Sequence, residues 1–342
     1  MANKINSLKN RPRKLTQMEK YLLGIIVIYS IIVSIVNPAF LSLETLFDML
    51  RSASGTMILA FGVLMVIISG GIDVSFTAVA IVGAYSSVKL MLATGIDNLA
   101  FAFIISASIG AVLGIINALL IHCFKLPTLI VTLGTSSVFY GFMTTFIGTK
   151  SIPLAMMPSS LVKFSEKNLI NLTNGNSTYG LSIFVLIVAI VMVITWFILY
   201  KTSLGRHIFA IGNSEESAKR SGINILGTRL FIYAFMGVLA GIMGIIYFSQ
   251  LKMVNPVSLV GTELMIIAAV VIGGTKLSGG EGTIFGALLG VTIIQLFQST
   301  LVFLGLSTSW NDFFIGLILL ISVSMISYQT RKKNRENLIF TQ

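Results

Sequence analysis

The chain has 342 residues, 55% of them hydrophobic and only 10% charged, with a mean hydropathy of +0.95. No water-soluble domain hides that much apolar surface, so the composition excludes a soluble enzyme and predicts a polytopic membrane protein. The net charge of +11 does not point to nucleic acid, and no nucleic-acid partner is expected, because the cations sit at the ends of apolar segments. Lys4, Lys9, Arg11, Arg13, Lys14 and Lys20 precede the first apolar stretch, and Arg331, Lys332, Lys333 and Arg335 follow the last. That is the positive-inside pattern with both termini cytoplasmic, and such basic tails rest on anionic membrane lipid.

Ten apolar segments follow one another, at about 21–36, 45–69, 75–94, 99–122, 129–148, 181–200, 229–250, 263–275, 283–304 and 311–328. Most reach the roughly 20 residues that cross a hydrocarbon core of about 30 Å. Residues 263–275 do not, and they lead into a glycine-rich run, which predicts a broken or re-entrant element. Irregular backbone at membrane depth is tolerated only inside protein or beside a water-filled cavity. The expected fold class is therefore all-α, with about ten transmembrane segments and one or two broken helices. It divides into a basic tail 1–20, a single transmembrane domain 21–328 and a second basic tail 329–342. Threading from a cytoplasmic start leaves only Arg51, Lys89, Lys150, Lys163, Lys167 and Lys252, of the 23 Lys and Arg, outside or at outer helix ends. The largest outer loop, about 149–180, carries the turn signal Asn174-Gly175-Asn176.

Motifs are taken in chain order. Glu44, Asp48 and Arg51 share a helical face, either as a wet helix end or as a contact for an external delivery protein. Gly70-Gly71-Ile72-Asp73-Val74-Ser75 puts a carboxylate at the end of a span, where an ionisable residue is a functional candidate. The plainer reading is that Asp73 or Ser75 caps the helix starting at about 75. Asn117 is a polar residue within a span. Glu263 opens the short segment with Thr262 as its candidate cap, and facing inward it would line a pathway. Val66–Ser75 and Val270–Ser278 both end an apolar run in Gly-Gly followed by Ser, which makes a candidate internal repeat of the kind found in transporters. Gly282, Gly286 and Gly290 recur every four residues and predict close helix packing. Gln295 and Gln298 lie on one helical face, either in the substrate path or in hydrogen bonds between helices.

Catalytic constellations are missing from the sequence. His122 and His207 lie in different loops, Cys123 is the single cysteine, and no metal site or disulfide is expected. Neither G-x-x-x-x-G-K-[ST] nor G-x-S-x-G occurs, so the chain itself has no nucleotide loop or nucleophile elbow, and no cofactor of its own.

The loop at about 201–228 is the one sizeable polar interruption near the middle. Asn213 or Ser214 can cap a short helix in which Glu215 and Glu216 occupy the first turn and Lys219 and Arg220 the last, in line with the helix dipole. Gly222 supplies a left-handed exit. So short a helix has little stability alone, which predicts that it rests on a second protein.

Taken together, these segments resemble the membrane permeases of ribose-type (simple-sugar) ABC importers, over about residues 38 to 328. Gly70–Ser75 is similar to the family's G-G-I-D-L-S. Thr202-Ser203-Leu204-Gly205-Arg206, Ala210-Ile211-Gly212 and Ser221-Gly222-Ile223 resemble its T-x-[LF]-G-R…A-[IL]-G…S-G-I loop. Glu263 with Ile267–Thr275 resembles E-x-x-x-I-A-A-V-V-x-G-G-T, and Leu277–Thr283 resembles L-x-G-G-x-G-T. Thr77 departs from a usual Gly, Ser217 from a usual Ala, and Arg220 from an apolar residue. Trp310-Asn311-Asp312-Phe313 is similar to permeases for autoinducer-2. The resemblance implies that Gly205, Arg206, Gly212, Glu216, Ala218, Ser221 and Gly222 form the surface for a separate cytoplasmic ABC ATPase, which holds the ATP and Mg. It also implies an extracytoplasmic sugar-binding protein, a second permease chain, identical or homologous, and a place in the bacterial plasma (inner) membrane. Asp73, Glu263, Asn117, Gln295 and Gln298 are then the candidates for substrate path or gating. The rival reading is a stand-alone ion-coupled carrier, which calls for paired ionisable residues in mid-span.

Overall fold

The computed structural model describes residues 15–174, 177–259 and 261–301, with scattered positions from there to 324. Most of both basic tails, the Gly175-Asn176 turn, and most of the tenth apolar segment, including Asn311 and Asp312, lie outside the described residues.

Among the described residues, seven helices are long and apolar enough to span a membrane: α1 (Gln17–Val36), α2 (Leu43–Ile68), α3 (Phe76–Thr94), α4 (Leu99–Phe124), α5 (Thr128–Phe142, prolonged by a π turn to Ile147), α7 (Ile183–Lys201) and α10 (Ile225–Leu251). α1 begins inside the expected tail. Thr16 and Glu19 close a reciprocal capping box there, and Thr283 donates to Glu19 from the far side of the chain at 2.7 Å. α11 (Glu263–Ile272) and α12 (Ile284–Thr300) are apolar but shorter.

α2, α3 and α10 form the buried centre, while α1, α4, α5 and α7 present most of their surface outward. α10 packs on α4, α3 and α2, and α12 packs on α11, α2 and α1. The α4–α10 contact is the most extensive. A Cβ added at Gly110 would sit 2.0 Å from the Gly237 carbonyl oxygen, and one at Gly114 would sit 2.1 Å from that of Tyr233. Small residues let backbones touch where hydrophobic burial gives no gradient between helix and lipid. Gly110-x-x-x-Gly114 and Gly237-x-x-x-Gly241 carried this signal in the sequence, yet the stripe at 282–290 was the one read out. Ser106 adds an interhelical bond to the Gly241 carbonyl at 2.8 Å.

The outer loop adds a small β element to the otherwise helical chain. It holds a short helix, α6 (Ser159–Glu166), and an antiparallel hairpin of β1 (Asn168–Asn174) and β2 (Ser177–Ser182). Leu172 stands opposite Tyr179 across the hairpin, and Gly175-Asn176 of the turn signal lie outside the described residues. Asp97 anchors this cap. It accepts from the N–H and hydroxyl of Ser159 (3.0 and 2.6 Å) and from the Ser160 N–H (2.9 Å), satisfying the free donors of α6. Those bonds, the Ser159 hydroxyl foremost, hold the Asp97 carboxyl down at about 2. Arg51, read from sequence as part of an exposed face with Glu44 and Asp48, turns inward instead. It donates to the Ser165 carbonyl at 2.8 Å and lies over the Phe184 ring.

Candidate functional site: the broken spans and the docking helices

α2 ends at Ile68, and Gly70 takes φ +83° to turn the chain. Residues 71 and 73–75 stay buried without being helical. Their backbone is satisfied by hydroxyls of α5: the Ile72 N–H donates to Thr128 at 2.9 Å and the Val74 N–H to Thr132 at 3.2 Å. This is the protein-lined irregular backbone that a membrane span requires.

Asp73 is 5% exposed. Its Oδ1 accepts from the N–H and the hydroxyl of Ser75 at 2.8 and 2.7 Å, and Asn117 of α4 donates to the Ser75 hydroxyl at 2.7 Å. The expected cap thus falls one step short. α3 begins at Phe76, Ser75 makes no side-chain cap bond, and Asp73 fixes Ser75 in an Asx-type turn rather than the first helical N–H groups.

Glu263 opens α11, but Thr262 does not cap it: its hydroxyl donates back to the Leu259 carbonyl at 2.9 Å. The Glu263 carboxylate accepts from the Gly261 N–H at 3.3 Å and from the Thr77 hydroxyl on α3. Thr77 had registered only as a departure from a motif. Spacing alone gave no signal that residues so far apart would meet. Gln295 donates to Ser299 at 2.9 Å along its own helix, and Gln298 donates to the Met265 sulfur of α11 at 3.0 Å; both are half-buried. Gly286 and Gly290 lie against α11, where a Cβ would sit 2.0 Å from the Gly273 oxygen and 1.9 Å from the Ala269 oxygen. Gly282 instead faces Ile68 and Thr275 side chains.

The polar loop contains two helices rather than one. α8 (Ser203–Asn213) is capped by Thr202, and Gly205 and Gly212 sit near its two ends, with Arg206 exposed on its first turn. α9 (Glu215–Arg220) is capped by Ser214, whose hydroxyl accepts from the Ser217 N–H at 3.2 Å. Gly222, at φ +79°, completes the exit: its N–H bonds the Lys219 carbonyl and the Ile223 N–H bonds that of Ala218. Ala218 is buried with Ile211 and Ile225, which seats α9 on α8 and on the start of α10. Glu215 pairs with Arg229 of α10 at 2.9 Å, while Glu216 pairs with Arg220 in solvent. Ser221 closes the helix from its C-cap.

Two glycine turns, at Gly70 and at Gly279-Gly280, meet helical Gly212 of α8 at the end of α2. The Gly280 N–H bonds the Ile68 carbonyl at 2.9 Å. A Cβ at Gly212 would sit 1.8 Å from that same oxygen, and one at Gly279 would sit 2.7 Å from the Gly212 oxygen and 2.8 Å from Gly70 Cα. The end of α8 therefore abuts the break after α2 and the turn after α11 through bare backbone. Beside this junction lies a cavity of about 1010 Å³, bounded by residues 69–72, the α4–α5 connection, the docking loop and the start of α10.

Over residues 45–323 the chain matches the family described as the permease component of the branched-chain amino acid transport system. It is 36% identical to the ribose import permease protein of Bacillus subtilis, over 86% of this chain and 88% of that one. The ribose import permease protein of Haemophilus influenzae is 32% identical over 90% and 93% of the two chains. The autoinducer 2 import system permease protein of Enterobacter sp. is 33% identical over 87% and 83%. No solved structure is a significant match. Likeness of this extent, on a bundle of membrane-length helices, makes the chain a multi-pass membrane protein and a member of the ribose-type ABC importer permease family.

Proposed function

We propose that the chain is the permease subunit of an ATP-binding-cassette importer that carries a small sugar into the cytoplasm by alternating access. The substrate class is a ribose-like pentose, a hexose or autoinducer-2, in keeping with the names of its relatives. A separate cytoplasmic ATPase supplies ATP and Mg, and a sugar-binding protein delivers substrate from outside. A second permease chain completes the pathway, in a bacterial plasma membrane with both termini cytoplasmic.

The glycine junction is the observation that supports this reading. Docking helices that moved with a bound ATPase would push directly on the Ile68 carbonyl and on Gly279, with no flexible side chain between to absorb the displacement. Those contacts terminate the two broken spans, and packed backbone shifts between discrete arrangements rather than deforming smoothly. Asp73 and Ser75 follow Gly70 in the chain, Asn117 bonds Ser75, and Thr77 bonds Glu263 at the start of α11; these hydroxyl, amide and carboxylate groups suit a neutral, hydroxyl-rich cargo.

Reconstitution with the ATPase and binding protein encoded beside the chain tests the proposal. Uptake of labelled ribose or autoinducer-2 should need ATP hydrolysis and both partners, and should survive a protonophore. Uptake by the chain alone that a protonophore abolishes would instead establish the ion-coupled carrier.

A further inference from the structure

The cavity beside the docking helices carries chemistry that sugar transport leaves unused. Its volume of about 1010 Å³ is that of a small-molecule site. Lys125 from the end of α4, Lys219 from α9 and Arg229 from α10 all line it, against a single carboxylate, Glu215. Arg229 takes that carboxylate at 2.9 Å. Lys125 and Lys219 have no ion-pair partner among the described residues.

Two further features converge on the same space. α5, of 15 residues, starts there with Thr128 and Leu129, and no side chain caps its first turn. Free N–H groups at a helix start favour an anion. Tyr233 also lines the cavity. It is 1% exposed, and its hydroxyl has no hydrogen-bond partner. A buried donor left unmade is costly unless a ligand or a rearrangement satisfies it.

We propose that this cavity binds a small phosphate-bearing anion, a soluble phosphate ester or the headgroup of an anionic lipid. Phosphate suits the donor set: two uncommitted ammonium groups and a helix start line one cavity, the Tyr233 hydroxyl is buried behind that helix start, and phosphate offers several acceptor oxygens at once. A bare ion would fill little of such a volume, so the phosphate is carried on a polar body that meets Ser69 and Ser278 on the cavity wall. An anion held between Lys125 and Lys219 would tie the second docking helix to the α4–α5 connection. Bound ligand would therefore bias the position of the docking helices and set the rate at which the transporter cycles.

The test uses the full-length chain in nanodiscs of neutral phosphatidylcholine, titrated calorimetrically with inorganic phosphate and with glycerol 3-phosphate at constant ionic strength. Saturable binding is expected, weakened about tenfold or more by Lys125→Ala and by Lys219→Ala. Tyr233→Phe removes one hydroxyl, keeps the ring packing, and should weaken binding several-fold with an unchanged melting temperature in chloride. A second set of discs replaces part of the lipid with phosphatidylglycerol. Binding of the soluble probes that disappears there assigns the site to the lipid headgroup, and binding that persists assigns it to a soluble ester. Absence of saturable binding in neutral discs, or binding that all three variants leave intact, overturns the proposal. The titration needs neither ATPase nor sugar, so its failure leaves the transport reading standing, and the reverse also holds.

Discussion

Gly212→Ala is the sharpest perturbation of the coupling route. The added methyl group would lie 1.8 Å from the Ile68 carbonyl oxygen and 2.6 Å from the Gly280 nitrogen. Both neighbours are backbone, so neither can swing aside as a side chain would. Overpacking of this kind costs about 1–3 kcal/mol. Parting the strands also strains the Gly280–Ile68 hydrogen bond, worth about 0.5–1.5 kcal/mol net. Together they amount to about 2–4 kcal/mol, enough to shift a two-state equilibrium by about 30- to 1,000-fold. The caps of α8 and α9 and their solvent faces are untouched, so membrane insertion and ATPase association should persist. Sugar uptake, and the stimulation of ATP hydrolysis by loaded binding protein, should fall sharply. Gly134→Ala serves as the control, because a Cβ there meets nothing within 4 Å. Wild-type uptake and wild-type stimulation in Gly212→Ala would refute the idea that force passes through this junction.

Other outcomes follow from the same geometry. Gly222→Val meets no neighbour within 4 Å but must hold φ +79°, a backbone strain of about 1–2 kcal/mol; with Glu216→Lys, which puts a cation at the wrong dipole end, it should reduce ATPase pull-down while leaving insertion intact. Gly286→Leu forces a branched side chain from a Cβ position 2.0 Å from the Gly273 oxygen, so its melting temperature in detergent should drop markedly. Asp97, whose carboxyl is lowered from 3.8 to about 2, stabilises the outer cap fully above its unfolded value and loses that contribution as pH falls from about 4 to about 2. Hydrogen exchange across 159–166 should accelerate in that window, and Asp97→Asn should remove the pH dependence. In a Cys123→Ser background, Asp73→Cys, Glu263→Cys, Gln295→Cys and Gln298→Cys should change their reactivity toward a small water-soluble thiol reagent when ATP traps the transporter. Inaccessibility in every state, with normal uptake, would place the sugar route elsewhere.

What the sequence revealed tracks the range of the interactions involved. The seven long spans among the described residues and the caps at Ser214 and Gly222 are local, so periodicity and cap chemistry expose them. Even there, α8 was missed: its first half reads as polar loop because Gly205 and Gly212 depress helix propensity, yet burial of Ile208 and Ile211 overrides that preference. The hairpin after α6 was missed because Asn168–Ser182 is too polar to stand out beside apolar spans. Contacts that depend on two distant segments were illegible in principle. Thr77 with Glu263, Asp97 with Ser159, and Gly70 with Gly212 and Gly279 are set by how the bundle closes, and no spacing rule connects them.

The glycines illustrate why motif and mechanism coincide here. Gly70, Gly274, Gly279 and Gly280 all take positive φ, so each is a turn that an L side chain strains. Strain alone would permit asparagine. Close approach does not: a Cβ at Gly279 or Gly280 would meet backbone or an Asn213 side chain under 3.0 Å. Two independent constraints therefore fall on Gly279 and Gly280, in the turn after α11, while a Cβ at Gly70 would meet no atom nearer than 3.7 Å; one neighbour of that turn is the end of α8. A tolerant hinge would need only the first constraint. Adding the second makes the turns rigid against one another, so that a displacement at Gly212 has to reappear at Gly70 and Gly279. If a separate ATPase supplies the energy, as proposed, rigid turns of this kind would pass a displacement of α8 on to the spans, which a tolerant hinge would absorb.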